Sequence, residues 1–156
     1  MSITILPYAP EYAPVFDRLN RAWIEEFFVV EPFDDAVLSN PQQYIIAPGG
    51  ELWFASLNGE VIGACALIPF GVGVLEFTKL GVDPKARGHG VARALLQHCR
   101  ARAKAKGAHT LKIFTSLSLT AANALYVSEG FLEVPMSAQQ KTRYRRADIM
   151  YDLALK

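Results

Sequence analysis

Residues 51–115 hold the pattern that most limits the fold: three strand-like runs, a Gly-rich turn, a helix and a fourth strand-like run. Glu51 to Leu57 and Glu60 to Ile68 are both apolar, and only Asn58-Gly59 separates them. Both turn residues tolerate positive φ, so the two runs fold back on each other as a hairpin. Val74 to Val82 gives a third strand, stopped by Asp83-Pro84. After Arg87-Gly88-His89-Gly90 the apolar spacing becomes helical, with Val91, Leu95, Leu96, Cys99 and Ala103 on one face. Lys104 and Lys106 suit the negative end of that helix, and Gly107 stops it. Thr110 to Thr115 is the next strand, so an antiparallel meander feeds a βαβ unit.

The flanks complete one layer scheme. Ile3 to Leu6 reads as a strand, Glu11 to Phe28 as a helix and Asp34 to Asn40 as a short helix before Pro41. Leu119 to Glu129 reads as a helix ended by Gly130, and Phe131 to Val134 and Arg146 to Leu155 as strands joined by a polar loop, Ser137 to Arg143. A chain of 156 residues without repeats or linkers makes one ordinary domain, expected over 1–156. The fold class expected is α/β in the mixed α+β sense, with a mostly antiparallel sheet and a central βαβ unit.

The formal net charge of +1 conceals a segregated pattern. Residues 1–83 hold eleven acids and three bases, a net of −8; residues 84–128 hold eight bases and no acid, a net of +8; residues 129–156 hold four acids and five bases. Such asymmetry points to an anionic partner at the basic block, the plainer alternative being a solvated helix face. No helix-turn-helix pattern or stacking motif accompanies it, so no nucleic-acid partner is expected. The N-terminus MSITILPYAPEY lacks a charged leader, and no run approaches the roughly 20 apolar residues of a membrane span. Cys65 and Cys99 sit in apolar surroundings with no metal-ligand spacing. They read as core residues of a reduced, cytoplasmic protein that holds no metal and has no membrane partner.

The turn Arg87-Gly88-His89-Gly90-Val91-Ala92 is the chemical centre. Glycines let a backbone turn tightly and approach a ligand, and the first amides of a helix favour phosphate. A tight helix-entry turn with no ligand remains the structural alternative. A P-loop would need Gly-Lys-Ser/Thr at the helix start, where Val91-Ala92 follow Gly90. A dinucleotide fingerprint would need a small residue at Arg93 and an acid about twenty residues on, where the chain has none.

Arg87-x-x-Gly90-x-Ala92 is similar to the Q/R-x-x-G-x-G/A signature of the GNAT superfamily, the acyl-CoA-dependent N-acetyltransferases. Val82-Asp83-Pro84 precedes it and Leu95-Leu96 follow, as that context requires. Asn123-Ala124-Leu125-Tyr126 and Glu129-Gly130-Phe131 resemble the family's second helix-to-strand segment. Leu19-Asn20-x-x-Trp23-Ile24, Pro48-Gly49-Gly50-Glu51 and Tyr144-Arg145-Arg146-Ala147-Asp148-Ile149-Met150 also look like one bacterial branch of small GNAT enzymes.

The resemblance implies a sheet that splays, with acetyl-CoA as acyl donor and no metal. Arg87, Gly88, His89, Gly90, Val91 and Ala92 would hold the CoA pyrophosphate through their amides. Leu80, Gly81 and Val82, in the strand from Lys79, would pair with the pantetheine arm. Asn123 would reach the pantetheine or phosphate region, unless it is an ordinary helix-surface amide. Tyr126 would act as general acid toward the leaving thiolate and Glu76 as base toward the attacking amine. Their structural alternatives are a core aromatic and an exposed strand carboxylate. The acceptor implied is a primary amine of a small molecule or peptide, attacked directly in a ternary complex, and a homodimer is admissible. Glu25, Glu26, Glu31, Asp34 and Asp35, beside Trp23, Phe27, Phe28 and Phe33, would form a wall suited to a cation. The alternative function is a CoA-binding regulatory module without transfer activity.

Overall fold

The computed structural model describes residues 2–143 and 146–156. Seven strands, β1 (Ile3–Pro7), β2 (Glu51–Leu57), β3 (Glu60–Gly71), β4 (Val74–Val82), β5 (Thr110–Thr115), β6 (Leu132–Val134) and β7 (Ile149–Ala154), form one sheet. Their order is β1-β2-β3-β4-β5-β7-β6. Every neighbouring pair is antiparallel except β4 and β5, which run parallel and are joined by a crossover helix. The mixed, mostly antiparallel sheet with its central βαβ unit is as expected. The final strand β7 lies between β5 and β6, a crossing that the sequence order alone does not indicate.

Among the described residues there are five α-helices: α1 (Ala13–Phe27), α2 (Pro32–Ser39), α3 (Val91–Ala105), α4 (Thr120–Ser128) and α5 (Ala138–Arg143). Pro10–Tyr12 is a separate 3-10 turn, so the helix expected from Glu11 begins at Ala13. A single π turn at Gln42–Ile46 leads toward β2. The polar loop expected at Ser137–Arg143 is instead α5. Its start carries a reciprocal cap: Gln140 N–H donates to Ser137 Oγ at 3.1 Å, and Ser137 N–H donates to Gln140 Oε1 at 2.9 Å. Two otherwise orphaned donors are satisfied at once, and a short polar run becomes a helix. Tyr144 and Arg145, within the Tyr144–Met150 stretch quoted above, lie outside the described residues.

Two cores sandwich the sheet. On one face Val91, Leu95, Leu96, Cys99 and Ala103 of α3 are buried against Leu75, Phe77, Leu111 and Ile113. Burying each large aliphatic chain is worth roughly 1.5–3 kcal/mol, which is why this amphipathic helix docks here. Cys65 and Cys99 meet in this core with sulfurs 3.6 Å apart and no bridge. On the other face Phe16, Leu19 and Ile24 of α1 and Val37 and Leu38 of α2 pack on Leu52, Phe54, Ala64 and Ala66. Glycine lets α1 come this close. A Cβ at Gly81 would lie 3.1 Å from the Leu19 backbone carbonyl.

Candidate functional site

The site is organised by where β4 leaves its neighbours. Ala64 opposes Gly81 and Ala66 opposes Thr78, so Lys79 and Leu80 together face Cys65 in a β-bulge. Lys79 adopts φ +56, the left-handed region that side chains rarely enter. A bulge bends its strand and raises the local twist. On the other edge, β4 pairs with β5 only from Val74 to Glu76, although β4 runs on to Val82. The β4 segment 77–82, with Leu80, Gly81 and Val82, therefore turns its outer edge to an opening instead of to β5.

At the end of that strand lies the Gly-rich turn. Gly88 and Gly90 have φ of +81 and +79, and an added Cβ at either would meet nothing within 4 Å. Glycine is thus required for backbone conformation, and the space above the turn is open. Val91 and Ala86 are buried and anchor the turn from below. Gly90 is the α3 N-cap with no side-chain cap, and Ala94 N–H makes the first helical bond, to Gly90 O at 3.0 Å. The amides of Val91, Ala92 and Arg93 therefore point outward with the positive end of the helix dipole. His89 is exposed at the crest of the turn. Arg87 reaches Glu26 of α1 at 3.5 Å.

Glu76 and Tyr126 lie on opposite faces of the sheet, and both are buried. Glu76 alternates with Leu75 and Phe77, so it presents to the α1 side, and it is only 5% exposed. That disposes of the exposed strand carboxylate as its alternative. Tyr126 of α4 packs in the α3-side core against Phe131 and Tyr151, and is likewise 5% exposed. Burial, with the fields of Cys65 and Tyr151, pushes its phenol well above the usual range, so it stays protonated. Among the described residues its hydroxyl has no hydrogen-bond partner.

Asn123 is engaged inside the protein. Its Nδ2 donates to Ser116 O and Leu119 O, both at 2.8 Å, and its Oδ1 accepts from the Tyr151 hydroxyl at 2.9 Å. It fastens the start of α4 to the end of β5 and to β7, one turn before Tyr126.

Most of the basic block is paired with acids within the fold, the majority of them outside the acidic wall. Lys85 pairs with Glu60, Arg87 with Glu26, Arg93 with Glu129, Arg102 and Lys106 with Glu51, and Lys112 with Asp152. Within the wall, Asp35 pairs with Arg21 and Asp34 with Arg146. The bulge at Lys79 is the feature the sequence reading passed over, having taken the strand from Lys79 only for its backbone. Its signal was a single lysine inside an otherwise apolar strand end. No group of three or more His, Cys, Asp or Glu among the described residues is placed to hold a metal ion. No helix among them is long and apolar enough to cross a membrane.

The Acetyltransferase (GNAT) family model matches residues 15–131. The chain belongs to this family. N-acetyltransferase 8 of Mus musculus is 30% identical over 95 residues, covering 58% of this chain and 42% of its own length. The chain thus spans less than half of that curated relative. A GNAT-family acetyltransferase from Staphylococcus aureus superposes with a TM-score of 0.87 at 19% identity, covering 99% of this chain and 100% of that one. The PaiA N-acetyltransferase of Thermoplasma acidophilum, solved with coenzyme A, superposes with a TM-score of 0.75 at 14% identity, covering 99% of each chain. At these identities the two structures establish the GNAT fold for the chain.

Proposed function

We propose that this GNAT protein transfers an acetyl group from acetyl-CoA to a primary amine, by direct attack within a ternary complex and within one domain over 1–156. The observation that carries the reading is the parting of β4 from β5 beside an uncapped helix N-terminus. Three features fit CoA: outward amides at Val91 and Ala92, open space over Gly88 and Gly90, and an unpaired β4 edge at Leu80, Gly81 and Val82. The coenzyme A complex of the Thermoplasma relative supports the same donor.

In this reading the turn from Arg87 to Ala92 binds the pyrophosphate and the β4 edge hydrogen-bonds the pantetheine amides. Acetyl-CoA supplies an activated thioester, whose C–S bond breaks as the C–N bond forms. Glu76 accepts the proton that the amine loses, directly or through water. Tyr126 donates a hydrogen bond to the departing sulfur. Because its phenol is raised above an ordinary thiol, it stabilises the growing negative charge before it gives up a proton. Asn123 positions α4, and thereby Tyr126, through its three internal bonds. The unbridged thiols of Cys65 and Cys99 support a reducing, cytoplasmic setting.

The test is CoA-thiol release from acetyl-CoA with a panel of small amines, amino acids and peptide amines. Amine-dependent release, with one acetylated product per thiol, is expected. CoA binding without release from any amine would leave a regulatory module in its place.

A further inference from the structure

Six of the eight cations in the basic block, Lys85, Arg87, Arg93, Arg102, Lys106 and Lys112, pair with carboxylates of the fold. Among the described residues the other two, Arg100 and Lys104, pair with none, and both are exposed on α3. Arg100 gives one hydrogen bond, to the Glu129 backbone carbonyl at 3.3 Å, which leaves its charge uncompensated. The two converge on one hollow. Gln97, Arg100, Ala101 and Lys104 recur at i, i+3, i+4 and i+7, and the face of α3 that they share forms one side of a groove of about 470 Å³. The end of β7 and the two residues after it form the other side. Ala154 is in register with Thr110, and the Leu155 N–H donates to His109 O at 2.8 Å, so backbone bonds hold this side in place. Lys156 adds a third cation, again with no carboxylate partner among the described residues. No Asp or Glu among them lines the groove. Gln97 donates to Glu129 Oε1 at 3.1 Å, but that carboxylate is already held by Arg93.

We propose that this groove is a second ligand site, which takes a small organic polyphosphate such as a nucleoside diphosphate. Its volume is that of a small-molecule site, and three cations without an acid attract a polyanion. Arg100 offers a planar fork to two phosphate oxygens, and Lys104 and Lys156 act as point charges beside it. Ala101, Ala154 and Leu155 give the lining an apolar part, which receives the uncharged body of the ligand. The cations meet around one hollow and do not run in a stripe, which favours a compact anion over an extended acidic chain. The site is separate from the turn proposed to hold CoA, because Gln97 to Lys104 lie about 10 to 20 Å beyond Gly90 along the helix. It stands independently of acetyl transfer.

The experiment is calorimetric titration of ADP into protein already saturated with CoA, so that the turn at the start of α3 is occupied. One ADP binds per chain, and raising the salt from about 20 to about 200 mM weakens it by about ten-fold. Adenosine, which carries no phosphate, gives no heat. Arg100→Gln combined with Lys104→Gln weakens ADP by at least about ten-fold, while CoA affinity and the melting temperature of the ligand-free protein hold. Lys104→Arg keeps the charge and retains ADP affinity within about three-fold. Absence of ADP binding at millimolar concentration and low salt overturns the proposal, and so does ADP affinity that the double variant leaves unchanged. Adenosine that binds as tightly as ADP also overturns it. ADP that binds only when CoA is left out has taken the CoA turn, which overturns it too, and so does a hexaglutamate peptide that binds where ADP does not. Should the protein bind no CoA, the acetyl-transfer reading fails alone, and the same titrations of the free protein and the double variant decide this one.

Discussion

Arg146 holds both oxygens of the Asp34 carboxylate, 112 residues earlier in the chain, and so ties the start of α2 to the segment before β7. Asp34 serves twice, because its Oδ2 also accepts from the Glu31 N–H at 2.9 Å and completes the α2 capping box. Burial works against its ionisation, but the Arg146 guanidinium, the Glu31 N–H and Lys79 outweigh it and hold the carboxyl below its ordinary 3.8. The pair holds α2 against the chain segment that leads into β7.

Arg146→Met leaves that carboxylate buried without its partner. Unfolding free energy at pH 7 falls by about 3 kcal/mol, as expected for breaking a largely buried pair from one side. Because the folded carboxyl is depressed, the pair's contribution is complete above the ordinary value near 3.8 and fades as pH falls through the lower, folded value. Urea unfolding of both proteins across pH 3 to 7 checks this. A loss below about 0.5 kcal/mol at pH 7 would mark the pair as replaceable.

Glu51 is the second electrostatic anchor. Arg102 donates to it at 2.6 Å and 3.1 Å, Trp53 Nε1 at 2.9 Å and Lys106 at 3.1 Å, joining β2 to α3. Arg102 above all, against the cost of burial, draws its carboxyl from 4.5 to about 2. The linked stability is present above pH 4.5 and is lost as pH falls toward 2. Glu51→Gln removes it, costing about 1–2 kcal/mol at pH 7 once solvent screening of the exposed arms is allowed for. Acid titration followed by circular dichroism should show a shallower decline for the variant between pH 4.5 and 2.

Gly81→Ala tests the seating of α1. The added methyl would lie 3.1 Å from the Leu19 carbonyl carbon and oxygen, which are backbone atoms with no rotamer to change. The helix must shift from β4, and stability drops by about 1–3 kcal/mol. On the proposed reading, in which α1 flanks the acceptor, acceptor KM rises with it. Thermal unfolding together with amine kinetics reads both effects.

Tyr126→Phe removes one hydroxyl and leaves the packing against Phe131 and Tyr151 intact. Turnover falls by about 10²–10³-fold, while CoA affinity changes by less than about three-fold. Steady-state rates and a CoA titration of the variant separate the two. Unchanged turnover would remove Tyr126 from the chemistry.

The parts of the fold that follow from local chemistry were legible in the chain. Asn58-Gly59 has its hairpin, with φ of +53 and +83, and the apolar face of α3 from Val91 to Ala103 is the buried one. What the chain concealed depends on contacts distant in sequence. The β7 insertion between β5 and β6 follows from tertiary pairing, and α5 from a reciprocal Ser137–Gln140 cap inside a run that looks like loop. The segregated charges told of ion pairs more than of ligands, since most of the basic block finds its partners within the fold. At the site, the Gly-rich turn was legible because glycine alone suits its backbone. The bulge at Lys79 was not, because a left-handed φ leaves no mark in residue spacing.

The proposed acyl-CoA site is formed by the turn at the start of α3 and the unpaired edge of β4. Titration of CoA into the protein, followed by calorimetry and thermal unfolding, tests it directly. One CoA binds per chain, and the melting temperature rises by about 5–10 °C at roughly a hundred-fold excess over Kd. No heat of binding and no thermal shift at millimolar CoA would contradict it.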